Sequence, residues 1–250
     1  MNKEISNQIS EFCYRISDDI IDVIHEKHSD TVGRDDFLYT EAASRVSSSV
    51  QPNTVKGLYY DIPEVLLEYA DNLDEISDLS VTVAVYLTGS ECSVSADNTP
   101  VDCSPVGMHI NVFLPENKEL VTEENLDFVF TEIANSVRHE FEHVIQEEFS
   151  DFVHNVDYHK IDFKQPREEL SNMAYYLTQP CEVSAHVHGY YQVSSSERDF
   201  YASILKLLSS YVELDYISKD EKLRIFLCWK DWFERNIYTC NSGGEAQCAK

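Results

Sequence analysis

The chain is poor in positive charge and contains no long apolar run. It has 19 lysines and arginines against 45 aspartates and glutamates, which gives a formal net charge of −26. Nucleic-acid binding needs a basic footprint, so this composition argues against it. No apolar run approaches the length of a membrane span, and the start MNKEISNQIS lacks the cationic flank and apolar block of a secretory signal. We therefore expect a cytoplasmic protein (host cytoplasm if a virus encodes it) with no nucleic-acid or membrane partner.

Cysteine pairs at metal-binding spacing are also absent. The seven cysteines are scattered, with no Cys-x-x-Cys pair, so nothing indicates a cysteine-based zinc knuckle. An odd cysteine count without a secretory signal is typical of reduced thiols. We expect free thiols, with a Cys92–Cys103 bridge across one loop as the alternative.

Hydrophobic periodicity predicts an α+β fold. Apolar residues recur at helical spacing in the helical segments, with Thr122 as a predicted N-cap, whereas the strand segments are rich in β-branched residues. The polar, turn-rich passages 46–57 and 89–107 predict loops. The predicted elements are helices at 4–27, 63–76, 122–149, 167–177, 180–192, 196–215 and 219–237 and strands at 81–88 and 108–115.

The stretch SVRHEFEHVIQEEF (136–149) has the pattern of a zinc-binding helix. On a helix, His139 and His143 lie about 40° apart on one face, so both imidazoles can bind one ion. Glu140 lies beside them, where a carboxylate that is not a ligand can act as general base for a metal-activated water. A solvated polar helix face is the alternative. The opposite face carries the predicted core residues Phe130, Ile133, Ala134, Val137, Phe141 and Val144.

A glutamate from a later helix is the predicted third ligand. Gln146 and Phe149 stand where the extended metzincin motif has Gly and His, which excludes that ligand set. Glu182 begins the next predicted helix, and Ala185 and Gly189 share its face. Small residues there allow close approach of the two helices, so that a short carboxylate reaches the metal. The alternative is an acid that only favours the helix dipole.

Together, His139-Glu140-x-x-His143 and Glu182-x-x-Ala185 resemble the gluzincin branch of zinc metallopeptidases. The segments HEFEHVIQ and YYLTQPCEVSAH are similar to those of compact gluzincins often encoded by phages and bacteria, and the resemblance covers about residues 80–191. It implies a zincin-like fold with a small antiparallel or mixed sheet packed on the active-site helix. It also implies a single Zn²⁺ ligated by the two histidines and Glu182, with Glu140 as the catalytic residue.

The resemblance also implies an edge strand that pairs with extended substrate. The segment MHINVFLP (108–115) stands in the right order for it. Main-chain hydrogen bonds then give affinity without much side-chain selectivity. The predicted substrate-strand residues are His109, Ile110, Asn111 and Val112.

One departure from the family lies four residues after Glu182. Thermolysin-like relatives have an aspartate there that supports a ligand histidine, whereas this chain has His186, which could line the cleft or compete as a ligand. The residue that stabilises the oxyanion is left open. Its candidates are His186, His188, Tyr190 and Tyr191, together with Tyr175 and Tyr176.

The leading functional prediction is a zinc-dependent, endopeptidase-like enzyme that acts on a peptide or protein substrate. Acids around the helix (Glu132, Glu142 and Glu147) hint at basic peptides. The alternatives are a zinc-bearing, non-catalytic regulator or virion-associated binding protein, and an acidic decoy of a basic partner. We expect one domain over 1–240, made of an N-terminal helical region (1–79), a zincin-like catalytic core (80–194) and C-terminal helices (195–240), with a flexible tail at 241–250.

Overall fold

The fold combines several helices with one small sheet. The computed structural model describes residues 3–29, 52–67, 78–87, 92–97, 106–115, 123–149 and 173–238. The helices are α1 (Lys3–Ser29), α2 (Glu64–Leu67), α3 (Glu123–Glu148), α4 (Met173–Tyr176), α5 (Pro180–Gln192), α6 (Glu197–Glu213) and α7 (Lys219–Phe233). The strands are β1 (Thr54–Asp61), β2 (Asp78–Leu87), β3 (Ser93–Asp97) and β4 (Gly107–Leu114).

The predicted α+β class is confirmed, and the predicted helix and strand segments within the described ranges are largely found. A short π-helix, Glu234–Tyr238, continues α7. The predicted Thr122 cap, the 241–250 tail and Cys103 lie outside the described residues, whereas Cys92 is a free thiol. In the described part of the chain, no helix combines the length and the apolar character needed to cross a bilayer.

The four strands form a mixed sheet in the order β1-β2-β4-β3. Strand β2 pairs antiparallel with β1 and parallel with β4, and β3 pairs antiparallel with β4. Nearly every residue of β4 is buried, as expected for a strand in the middle of a sheet. The sheet therefore ends at β3 on one side and at β1 on the other, among the strands that the structure describes.

The prediction that residues 108–115 form an edge strand is wrong. Both edges of β4 are occupied, since Val112 pairs with Val85 of β2 and with Val94 of β3. The backbone of an interior strand has no hydrogen-bonding groups left for a further chain. The predicted substrate-strand residues are therefore interior to the sheet: His109, Ile110, Asn111 and Val112.

Two strands lie in passages that the sequence predicts as loops. Strand β1 overlaps the polar passage 46–57, and it pairs with β2 along its whole length. Strand β3 lies within the turn-rich passage 89–107. Both strands are stabilised by partners distant in sequence, and hydrophobic periodicity carries no information about such partners.

The predicted core face of α3 is confirmed. Ile133, Val137 and Phe141 are completely buried, and α3 contacts α1, β3 and β4. The ring of Phe12 on α1 lies 4.9 Å from that of Phe141, centroid to centroid. Burying each such side chain stabilises the fold by about 1.5–3 kcal/mol, so this face anchors α3 and fixes which way its polar face points.

The polar side of α3 packs against α5, and a glycine makes the close approach possible. Ala185 is fully buried, and a methyl group added at Gly189 would lie 2.8 Å from the backbone carbonyl oxygen of Asn135 on α3. Real Cβ atoms essentially never lie that close to a backbone atom to which they are not bonded. The small-residue face of α5 therefore sets how near the two helices come.

We expect Gly189→Ala to destabilise the protein despite the higher helix propensity of alanine. The added methyl group must push α5 away from Asn135, and overpacking of this kind costs about 1–3 kcal/mol. Thermal or urea unfolding of the variant measures the loss. The control is Glu213→Ala at an exposed position in the last turn of α6, which should unfold within about 0.5 kcal/mol of the parent protein.

The C-terminal helices pack against α5 and against each other. Helix α6 begins at Ser196, whose side chain accepts a hydrogen bond from the backbone N–H of Asp199. Helix α7 begins with a full capping box, in which Ser218 and Glu221 satisfy each other's backbone N–H groups. The capping box fixes the start of α7, and this helix places Trp229 at the site described next.

Candidate metal centre

Two histidines on α3 converge as the helical spacing predicts. His139 and His143 are one turn apart, and their Nε2 atoms lie 3.2 Å from each other. Their rings meet edge to face, at an interplanar angle of 80°. Both nitrogens therefore point at one position beside the helix.

Glu182 reaches the same position from α5. Pro180 at the first helical turn begins α5 just before it. Its Oε2 lies 3.7 Å from His139 Nε2 and 3.5 Å from His143 Nε2. The structure thus brings together the three residues that the sequence predicts as ligands.

The spacing of these three atoms suits a small tetrahedral ion. Zinc bound at about 2.0–2.1 Å by tetrahedral ligands separates those ligand atoms by roughly 3.3 Å. The three distances in the protein, 3.2, 3.5 and 3.7 Å, lie close to that value. In addition, Glu182 Oε2 is buried without a hydrogen-bond partner among the described residues, and a cation is the kind of group that would satisfy it.

His186 adds a further nitrogen donor. His139, Glu182 and His186 form a group whose ligand atoms lie within 4.8 Å of one another, and this group could hold a metal ion. The His186 ring stacks on Trp229 at 4.7 Å and meets His139 edge to face at 4.4 Å. Trp229 is itself fixed, because its indole N–H donates to the carbonyl of Leu177. The His186 ring therefore lies between His139 and Trp229.

Gln146 orients the second histidine, a contact that the sequence analysis missed. The Nδ1–H of His143 donates to Gln146 Oε1 at 3.1 Å, which leaves Nε2 for the metal position. The Gln146 amide also donates to the carbonyl of Cys181, next to Glu182. Gln146 follows His143 by three residues on the same helix, and this spacing could have predicted their contact.

The charge state of the site follows from burial and from Glu182. Burial, together with the neighbouring His186 and His143, holds the pKa of His139 well below its usual value. Burial, followed by the charge of His143, lowers the pKa of His186 to about 3. Neutral imidazole is the form that binds metals, so both rings are in the ligating state near neutral pH.

His143 and Glu182 form an ion pair when no metal is bound. Burial alone would lower the pKa of His143, but the Glu182 carboxylate 3.5 Å away raises that pKa to about 9. Burial would likewise raise the pKa of Glu182, and His143 outweighs burial and lowers it. The Tyr176 hydroxyl also hydrogen-bonds to Glu182. A metal ion and the Nε2 proton of His143 therefore compete for the same position.

Glu140 lies beside the ligand triangle and outside it. Its Oε1 is 3.9 Å from His139 Nε2, and the residue is largely buried. A carboxylate at that distance from a ligand atom is close enough to reach a water molecule on the same ion.

Two predicted candidates for the oxyanion or supporting role make other contacts. His188 Nδ1 lies 3.1 Å from Glu142 and also contacts Arg138. Tyr190 is buried and hydrogen-bonds to Asn135. Tyr176, in contrast, interacts with Glu182, a residue of the ligand triangle.

Glu142, one of the three acids that hint at basic peptides, does not face a substrate. Its side chain is fully buried and forms a 2.8 Å ion pair with Arg138. The reason is that α5 covers this side of α3 as well as the histidine side. Glu147, in contrast, is exposed.

Comparisons with known proteins give no match: none of the protein-family models, the curated proteins or the solved structures matches this chain. The gluzincin resemblance therefore stays a prediction from the residues, and the function has to be inferred from the site itself.

Proposed function

We propose that this chain is a zinc-dependent peptidase of gluzincin type, with His139, His143 and Glu182 as metal ligands. The observation that carries the proposal is the triangle of two Nε2 atoms and one carboxylate oxygen, with sides of 3.2, 3.5 and 3.7 Å. Three protein ligands leave the fourth tetrahedral position to a water molecule, which is the arrangement of catalytic zinc sites.

The residues around the triangle supply the remaining chemistry. Zinc, when bound, polarises the substrate carbonyl and lowers the pKa of a water ligand toward neutrality. Glu140 accepts the proton of the attacking water and passes it to the leaving amine. The Tyr176 hydroxyl has one proton, which is directed at Glu182 and would have to turn from Glu182 to the oxyanion during the reaction.

The substrate path proposed here follows β3, since β4 is interior. Strand β3 contacts α3 and is the outermost described strand on its side of the sheet. Val94 and Ala96 face the core, while Ser93, Ser95 and Asp97 alternate with them and are exposed. An extended peptide can add to such a strand by main-chain hydrogen bonds.

A second reading, a zinc-bearing protein that binds a partner and cuts nothing, is favoured by His186. If His186 were a fourth ligand, the coordination sphere would be closed, as it is in structural zinc sites. The presence of Glu140 beside the triangle favours the catalytic reading, because a structural site needs no base.

Metal content and metal-dependent cleavage test the proposal together. We expect elemental analysis of the purified protein to find about one zinc per chain, and we expect cleavage of a mixed peptide library. A chelator should abolish the cleavage and added Zn²⁺ should restore it, because the nucleophile depends on the metal. Bound zinc without cleavage would support the non-catalytic reading, and cleavage that survives complete metal removal would refute the proposal.

A further inference from the structure

A second polar cluster is buried between α3 and α5, beside the metal centre. Glu142 is at its middle: its Oε2 accepts from Arg138 Nη2 at 2.8 Å, and its Oε1 accepts from the Ser184 hydroxyl at 2.7 Å. His188 Nδ1 lies 3.1 Å from the same Oε2. Glu142 and Ser184 have no exposed surface. We call these four residues (Arg138, Glu142, Ser184 and His188) the polar clamp.

The polar clamp joins the helices at the same levels as the metal centre. Arg138 and Glu142 immediately precede the two histidines of α3, and Ser184 follows Glu182 by two residues. Ser184 and His188 are themselves one turn apart. Glu142 bonds to Ser184, and the pair of Arg138 and Glu142 contacts His188 one turn later, so the pair engages two successive turns of α5.

We propose that the polar clamp is a positioning device, which holds α5 in register along α3 so that Glu182 meets the two histidines. This inference rests on the proposed metal site. The contact between Gly189 and Asn135 sets the distance between the helices, but a residue without a side chain does little to stop them from sliding. Hydrogen bonds do stop it, because they weaken steeply when the atoms move by about 1 Å.

Glu182 depends on this register more than the other ligands do. The two histidines share one helix, so their mutual geometry is fixed by the helix itself. Glu182 belongs to the other helix, and any displacement of α5 moves its carboxylate away from the triangle. A buried ion pair is weak evidence for stability, but it can fix the register between the two elements that it joins. That is the role proposed here for the polar clamp.

Cobalt binding in a double-mutant cycle tests the clamp. Co²⁺ replaces zinc as the probe, and its affinity and visible absorption spectrum are measured for four proteins: the parent, Ser184→Ala, Glu182→Ala and the double variant. We expect Ser184→Ala to bind Co²⁺ about tenfold more weakly than the parent, as changes to groups that orient a ligand typically do. In the Glu182→Ala background the same change should have no effect, because the carboxylate that the clamp positions is gone.

A matched control separates positioning from a general loss of stability. Ser17 on α1 is also buried and donates to the carbonyl of Cys13 within its own helix, so this hydrogen bond does not join α3 to α5. Ser17→Ala should lower the thermal stability about as much as Ser184→Ala and leave the Co²⁺ affinity and spectrum unchanged.

The outcomes distinguish this inference from the proposed function. A Ser184→Ala effect of equal size in both backgrounds would overturn the clamp and leave the proposed function standing. A Glu182-dependent effect in a protein whose zinc form cleaves no peptide would support the clamp and overturn the proposed function. A parent protein that binds no Co²⁺ would overturn both.

Discussion

Glu140→Gln should keep its zinc and lose nearly all peptide hydrolysis. The amide has the shape of the carboxylate but cannot accept a proton from the attacking water. Loss of a positioned general base lowers the rate by roughly 10²–10⁴-fold. Because Glu140 lies 3.9 Å from His139 Nε2, outside the ligand triangle, the metal content should stay at its parent value. Steady-state kinetics on one cleaved peptide and elemental analysis of the same sample measure both quantities.

The matched control for this variant is Glu147→Gln. Glu147 is an exposed acid on the same helix, two turns further along. Its replacement removes the same charge and should leave the cleavage rate within about twofold of the parent, because a solvent-exposed charge at that distance is screened. Full activity in Glu140→Gln would show that Glu140 is not the base, and a loss of zinc would show that it is a ligand.

The helix that carries the histidines could be predicted from the sequence because its information is local. The apolar stripe of α3 and the spacing of four residues between His139 and His143 fix the core face and the convergence of the rings by helical geometry alone. Predicting Glu182 as a ligand required one inference about tertiary structure, namely that Ala185 and Gly189 allow α5 to approach α3 closely. The contact of Gly189 with Asn135 supports it.

The sheet could not be read in the same way. Strand β3 has five residues, of which Val94 and Ala96 are the apolar ones, and the turn-forming residues around it outweigh so short an alternation. Its place in the sheet depends on β4, which follows it by about ten residues. The prediction of β4 as the edge strand is wrong because β3 pairs with that edge, and β3 lies in a passage that the sequence predicts as a loop.

A helical wheel of α3 could not show that Glu142, one of the acids around the helix, is buried. Such a wheel gives the angle of a side chain around its own helix but not the width of the neighbour that packs there. Helix α5 covers both the histidine side of α3 and the Glu142 side, some 100° apart, so the acid meets Arg138, Ser184 and His188. The contact of Gln146 with His143 lies within α3, and their spacing of three residues could have predicted it.

His143→Ala should weaken zinc binding by about two to three orders of magnitude, whereas His186→Phe should leave the zinc affinity close to the parent value. Zinc-site binding energies of about 10–16 kcal/mol, shared among three or four ligands, leave about 3–4 kcal/mol for each. Losing one ligand therefore weakens binding roughly 10²–10³-fold. Phenylalanine at 186 keeps the ring stacked on Trp229 and removes only its nitrogens. Elemental analysis and a competition titration with a chelating dye measure the two affinities, and circular dichroism checks that both variants fold.

This pair of variants decides which atoms hold the metal. His143 and His186 each lie with His139 and Glu182 in a group of metal-binding size, so the structure offers two overlapping ligand sets. If His186→Phe lost the zinc and His143→Ala kept it, the ligands would be His139, Glu182 and His186. Glu140 would then no longer lie between the two ligand histidines of its own helix, and the proposed hydrolytic geometry would fall. If both variants lost the zinc, His186 would complete a closed tetrahedral site, and the non-catalytic reading would replace the peptidase.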